Sequence, residues 1–312
     1  MKTIWDIAAY EVRMQYRSLT FWLVALVLFA FLIGDVLSIF HSYAMQATSP
    51  EPIIIPVPGG EPLDRAALAR QALEVASFST YTAWKFIDRV GLSSTLFIGF
   101  IVAFIWQRDR RWDMVDLINA QPITSWQYVI GKYLGAVLTW GSLLAGLILV
   151  GAGRAYQLAV QFDLPFAISD FLLPVLPAVG ISLLYGTALL LALSLLLQNS
   201  VGTLLIYFFY WVYTVTQFSM FQDAGSTQFL TFWFFRADLL FAPESYSLLQ
   251  SHQGEMWINR LLYLVLTAAL LGLCVLVYRH RRGYGMFVRV TPLTEQQSLP
   301  AWKRWLQRLN SL

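Results

Sequence analysis

Residues 108–135 read RDRRWDMVDLINAQPITSWQYVIGKYLG. Four charged residues open the stretch, two aspartates follow, and Pro122 separates them from a new apolar run. On a helix, Asp109, Asp113, Asp116 and Ala120 share one narrow face at i, i+4, i+7 and i+11. Trp112, Met114, Val115, Leu117 and Ile118 cover the rest. Pro122 cannot continue such a helix. Thr124 followed by Gln127 has the spacing of a capping box that starts the next helix. Gly131 and Gly135, one turn apart, permit a close helix contact there. The stretch therefore predicts a short amphipathic helix over 109–120, set between two apolar segments.

The chain around it is poor in charge. Of its 312 residues, 58% are hydrophobic and 12% charged, and the mean hydropathy is +0.59. A soluble domain carries about a quarter charged residues, so a globule of this composition lacks the polar surface to face water. An integral membrane protein is expected. The formal charge of +3 and its uneven spread do not point to nucleic acid. The single cysteine, Cys274, makes neither an internal disulfide nor a zinc site. His41, His252 and His280 are far apart in sequence, and no metal site is expected.

A helix needs about 20 mostly apolar residues to cross a bilayer. Six runs qualify, over residues 19–40, 90–106, 129–151, 171–197, 201–221 and 257–278, and their central portions are free of charge. The second is the shortest. The first run is too long for the apolar part of a signal peptide, no small-x-small site follows it, and it is read as an anchor. With the N-terminus inside, 14 of the 21 Lys and Arg residues fall on the inner side and 7 on the outer. That bias places both termini in the cytoplasm, which an even number of spans requires.

The remaining pieces flank this bundle. Residues 1–18 begin MKTIWDIAAYEVRMQYR and predict an amphipathic helix lying in the inner membrane surface. Its charged stripe holds Lys2, Asp6, Arg13 and Arg17; Glu11 lies off the stripe, which points to a protein contact rather than water. The outer loop 41–89 holds a proline-rich extended stretch, 49–62, then a helix-forming stretch, LDRAALARQALEVAS (63–77). Residues 222–256 are apolar but broken by Arg236 and Asp238, and predict a re-entrant or interfacial hairpin. A basic tail, 279–312, belongs to the cytoplasm and ends in a short surface helix.

As a set, these features resemble the ABC-2 type family of ABC transporter permeases. The shared pattern is a charged run after the second span (Arg108 to Arg111), a short apolar-rich helix (Asp113 to Ala120), a proline (Pro122) and a Gly131-Lys132 pair opening the third span. The in-plane helix, the six spans and the hairpin before the last span complete it. The resemblance implies an all-α transmembrane domain over 19–312 and a permease subunit of an exporter. Residues 109–120 would be the coupling helix that docks on a separate ATP-binding subunit. Asp109, Trp112, Asp113, Val115, Asp116, Leu117, Ala120 and Pro122 would make that contact. The partners implied are two copies of the ATPase, a second permease (identical or homologous) and membrane lipid. The expected location is the cell membrane, in a bacterium the inner membrane.

ATP and magnesium would sit on the partner, because this chain has no phosphate-binding loop of its own. A P-loop needs G-x-x-x-x-G-K-[ST]. The nearest stretch, WQYVIGKY, has Trp126 in place of the first glycine and Tyr133 in place of the hydroxyl residue. No cofactor is expected in this chain. In the fifth span, Thr203, Tyr207, Tyr210, Thr214 and Gln217 recur at helical spacing and form one polar, aromatic face. That face either lines a substrate path or joins helices by hydrogen bonds. A hydrophobic or amphipathic cargo (lipid, peptide or drug) suits such a wall. The alternatives to a permease are an intramembrane enzyme and a channel or scaffold not driven by ATP. The enzyme would need convergent catalytic groups in the spans, and neither G-x-S-x-G nor H-E-x-x-H occurs.

Overall fold

A computed structural model describes residues 2–49, 54–55, 63–64, 77–87, 90, 92–111, 123–220 and 253–283. Nine helices and one two-stranded ladder account for almost all of them: α1 (Lys2–Tyr16), α2 (Leu19–Thr48), β1 (Ile54–Ile55), β2 (Leu63–Asp64), α3 (Phe78–Phe86), α4 (Leu92–Val102), α5 (Ile105–Arg111), α6 (Ser125–Gln161), α7 (Ile168–Leu197), α8 (Ser200–Met220) and α9 (Gln253–Gly283). Ser125–Gln161, Ile168–Leu197 and Trp257–Arg281 are long and apolar enough to cross a membrane; Leu19–Ala30 and Ser200–Tyr213 are shorter apolar helical segments. The described residues are thus almost wholly helical, and three of their helices could by length and composition cross a bilayer. Its surface agrees, since Leu173, Leu149 and Leu26 are 76%, 73% and 67% exposed. Apolar surface that extensive suits lipid, not water.

Helices α6 and α7 form the centre. Helix α1 lies along α6, α9 along α7, α3 against both, and α4 between α2, α7 and α8. The largest buried side chains include Trp140, Phe21, Phe40, Phe78, Phe86 and Phe171, so the core runs through α2, α3, α6 and α7.

Local chemistry sets the helix ends. The expected capping box is present: the Thr124 side chain accepts from the Gln127 N–H at 3.3 Å, and the Gln127 side chain accepts from the Thr124 N–H at 3.0 Å. Helix α7 ends at Gln198, whose φ of 56° is left-handed, a conformation uncommon for a residue with a Cβ. Asn199 then accepts from the Val201 and Gly202 N–H groups at 2.9 and 3.3 Å and caps α8. From α9, Arg281 donates to the Leu195 carbonyl and, at 3.3 Å, to that of Leu196. A cation thereby covers the carbonyl end of α7, where the helix dipole favours it.

Four expectations change. The run 90–106 is not one helix: α4 and α5 meet at a turn over Ala103 and Phe104. Phe78–Phe86, expected in the outer loop, is a buried helix that starts on the Ser77 cap. Leu63–Asp64, expected to open a helix, pairs antiparallel with Ile54–Ile55, because the proline-rich stretch between them favours extended backbone. Helix α9 also continues to Gly283, past the expected start of the tail at 279. Of the hairpin expected over 222–256, residues 253–256 belong to α9; residues 222–252, the tail beyond 283 and the segment 112–122 lie outside the described residues.

Candidate functional site

The segment 112–122 is flanked by α5 on one side and α6 on the other. Just inside those flanks the bundle gathers four charges, with Glu11, Asp109 and Lys132 buried and Arg108 partly so. Lys132, on the second turn of α6, is 2% exposed. Its ammonium donates to Glu11 Oε2 at 2.7 Å and to Asp109 Oδ1 at 2.8 Å. Arg108 pairs with the other oxygen of Glu11, and Gln15 donates to that same oxygen at 3.0 Å. The Tyr128 hydroxyl donates to Asp109 Oδ2. Two carboxylates and two cations thus form a closed, neutral network linking α1, α5 and α6.

This geometry depends on how closely α1 approaches α6. A Cβ at Gly131 would sit 2.7 Å from Ile7 Cβ and Cγ2. One at Gly135 would lie 2.8 Å from Glu11 Cγ and 3.0 Å from the Ala8 carbonyl oxygen. Only glycine leaves room for α1 to bring Glu11 over Lys132. Tyr128, Lys132 and Gly135 follow i, i+4 and i+7, so contact, charge and hydroxyl share one face of α6.

Electrostatics holds Glu11 ionised. Burial alone pushes the Glu11 carboxyl up. The Lys132 ammonium and the Arg108 guanidinium outweigh burial and hold it below its ordinary value of 4.5. Removing one member of such a buried set strands an uncompensated charge, which costs about 3–5 kcal/mol. An aromatic layer extends the site toward α7 and α9. Trp106, Tyr128 and Tyr278 pack with ring centroids 5.0 to 5.7 Å apart, and the Trp106 indole donates to the Leu191 carbonyl at 3.2 Å. Beside the network, a cavity of about 360 Å³ opens between the α1–α2 turn and the α4–α5 region, lined by Gln15, Phe21, Phe104 and Arg108 among others.

Several expected positions take different places from those anticipated. Glu11 does meet a protein partner, but within its own chain. Asp109 does not share an outward acidic stripe; it is 4% exposed and held by Lys132 and Tyr128, because α5 turns it toward α6. Trp112, Asp113, Val115, Asp116, Leu117, Ala120 and Pro122 lie outside the described residues. On α8, Thr203 and Tyr207 are fully buried. Thr203 donates to the Asn199 carbonyl at 2.8 Å, and the Tyr207 ring lies against Gly99 of α4. The Tyr210 hydroxyl is 3.4 Å from that of Tyr185 on α7. These three therefore face their own bundle. Thr214 and Gln217 lie on α8, and their side chains fall outside the described residues.

Lys132 and Arg108 were legible only as charges on the inner side. Their role as counter-ions to Glu11 was not, because the partners are 121 and 97 residues away in sequence. One signal was available: Lys132 stands at the start of an apolar run, where an unpaired ammonium is costly. Among the described residues, no group of three or more His, Cys, Asp or Glu is placed to hold a metal. The chain matches no protein-family model, and no curated protein matches it.

Proposed function

We propose that this chain is the membrane-spanning subunit of an ATP-driven transporter of the ABC-2 type, with six spans, both termini in the cytoplasm and the cell membrane as its location. It exports a hydrophobic or amphipathic cargo, powered by two copies of a separate ATP-binding subunit and paired with a second permease. The resemblance in layout supports this reading. The observation that carries it is the neutral charge network between α1, α5 and α6, which clamps both ends of the segment 112–122 to the bundle. A flexible attachment would absorb a push on that segment. A buried, closed ion network transmits it, because interfaces of this kind repack between discrete arrangements rather than deform continuously. The cluster thus acts as the root of a lever that the segment 112–122 drives.

Buried Asp109 belongs to the root. Asp113 and Asp116 are left as the acidic contacts for the ATPase, with Trp112, Val115, Leu117 and Ala120 supplying apolar area. The test is affinity purification of the full chain from its native membrane. An ATP-binding subunit is expected to come with it, and the double change Asp113→Lys and Asp116→Lys is expected to release that subunit without lowering the amount of folded permease. A partner that stays bound with full ATP turnover after both changes would remove 112–122 from the interface. Absence of any ATP-binding subunit from the parent chain would remove the reading altogether.

A further inference from the structure

Arg260, on the second turn of α9, is 2% exposed. One of its terminal nitrogens, Nη1, donates to the Ser182 hydroxyl of α7 at 3.1 Å. Among the described residues, Nε and Nη2 have no hydrogen-bond partner. Ser182 is neutral and already donates to the Ala178 carbonyl at 2.8 Å, so it offers the guanidinium only a lone pair. An arginine near a helix end ordinarily snorkels toward water. This one is buried instead, as a cation with no counter-ion among the described residues, a costly state for such a group in a membrane bundle.

The two unpartnered nitrogens are informative as a pair. Nε and Nη2 form one edge of the guanidinium, the edge that makes two parallel bonds to a carboxylate or phosphate. Next to Arg260 stands a group of tyrosines. Tyr263 of α9 packs edge-on to Tyr185 of α7 at 4.7 Å, and the Tyr210 hydroxyl of α8 lies within 3.4 Å of that of Tyr185. Three helices thus bring aromatic rings and hydroxyls to one place beside a fork of unused donors. The outer surface of α9 here is apolar, since Trp257, Ile258 and Leu261 are 48%, 59% and 60% exposed. An anion reaching Arg260 across that surface travels most readily with an apolar tail.

We infer that Arg260 is the anion-recognition residue of a binding site between α7, α8 and α9, which takes the phosphate or carboxylate group of an amphiphile, with Tyr185, Tyr210 and Tyr263 as its wall. This site stands apart from the charge network near the 112–122 segment and does not depend on the permease reading.

The test uses the full chain purified in uncharged detergent, with no ATPase present, so that failure of the permease reading leaves its result unaffected. Dodecyl phosphate and dodecanoate are the probes; dodecanol and inorganic phosphate are the controls. Both anionic probes are expected to bind and to raise the unfolding temperature. Arg260→Gln is expected to weaken dodecyl phosphate roughly tenfold or more, and Arg260→Lys by less, since it keeps the charge and loses the fork. Equal binding of inorganic phosphate would overturn the amphiphilic source, and equal binding of dodecanol would overturn anion recognition. Arg260→Leu removes the buried charge and is expected to fold and to melt no lower than the parent. If dodecyl phosphate still stabilises that variant to the parent's extent, Arg260 does not hold the anion.

Discussion

Two basic residues, Lys132 and Arg260, are equally buried, each on the second turn of a long apolar helix. Their surroundings differ completely. Lys132 lies between two carboxylates, with Arg108 closing the set. Among the described residues, Arg260 has one hydrogen-bond partner, the neutral Ser182 hydroxyl. Burial by itself therefore says nothing about what a charge does. A cation neutralised within the chain holds the structure together. A cation left without a counter-ion weakens the chain on its own and is worth keeping only if something else supplies the anion. The first belongs to architecture and force transmission, the second to recognition.

The sharpest break in that comparison comes from substituting each residue by leucine. Lys132→Leu strands Glu11 and Asp109 against each other and is expected to cost about 3–5 kcal/mol, read as unfolding free energy in mixed micelles. Arg260→Leu is expected to cost nothing measurable or to stabilise. Similar losses in the two variants would erase the distinction between them.

The next effect down concerns the approach of α1. Gly135→Ala puts a methyl group into Glu11 and the Ala8 carbonyl and is expected to cost about 1–3 kcal/mol through overpacking. Protease cleavage near the N-terminus should rise with it as α1 lifts. A variant with α1 as protected as in the parent would show that the contact tolerates more space than the geometry allows. Tyr128→Phe removes one donor from buried Asp109 while keeping the ring packing, and the expected loss is about 1–2 kcal/mol. The double change Tyr128→Phe with Lys132→Leu should then cost less than the sum of its parts, because both act on one carboxylate.

The smallest effect is in pH. Glu11 is held below its ordinary value of 4.5 when folded. Its ionisation therefore contributes stability that is fully present above about that pH and is lost as pH falls through the lower folded value. Thermal unfolding of the parent between pH 6 and 3 should show this acid loss. Glu11→Gln, less stable at neutral pH, should show a shallower one. Parallel curves would mean that Glu11 is not the group being titrated.

Much of this was readable in advance for a simple reason: apolar periodicity and end signals are local. Helix α1, the capping box at Thr124 and Gln127 and the close contact at Gly131 and Gly135 all follow from residues within a few positions of one another. The misreadings share a cause as well. Asp109 was assigned to an outward stripe because a helical wheel shows which residues share a face, not which way the face turns. The burial of Arg260 was not legible either, because its place near the end of an apolar run looks like that of an ordinary interfacial arginine. The break between α4 and α5, at Ala103 and Phe104, has no strong sequence marker, since neither residue is a helix breaker.

Composition, hydropathy and the distribution of basic residues were sufficient to expect a helical membrane chain and to locate most of its helices, because each of those properties sums over neighbours in the chain. Tertiary structure alone decided which charges are neutralised. Glu11, Asp109 and Lys132 find one another across as many as 121 residues of sequence, and Arg260 meets Ser182, 78 residues away, with no acid among the described residues beside it. Electrostatic energy depends on distance in space, which the order of residues along the chain does not contain.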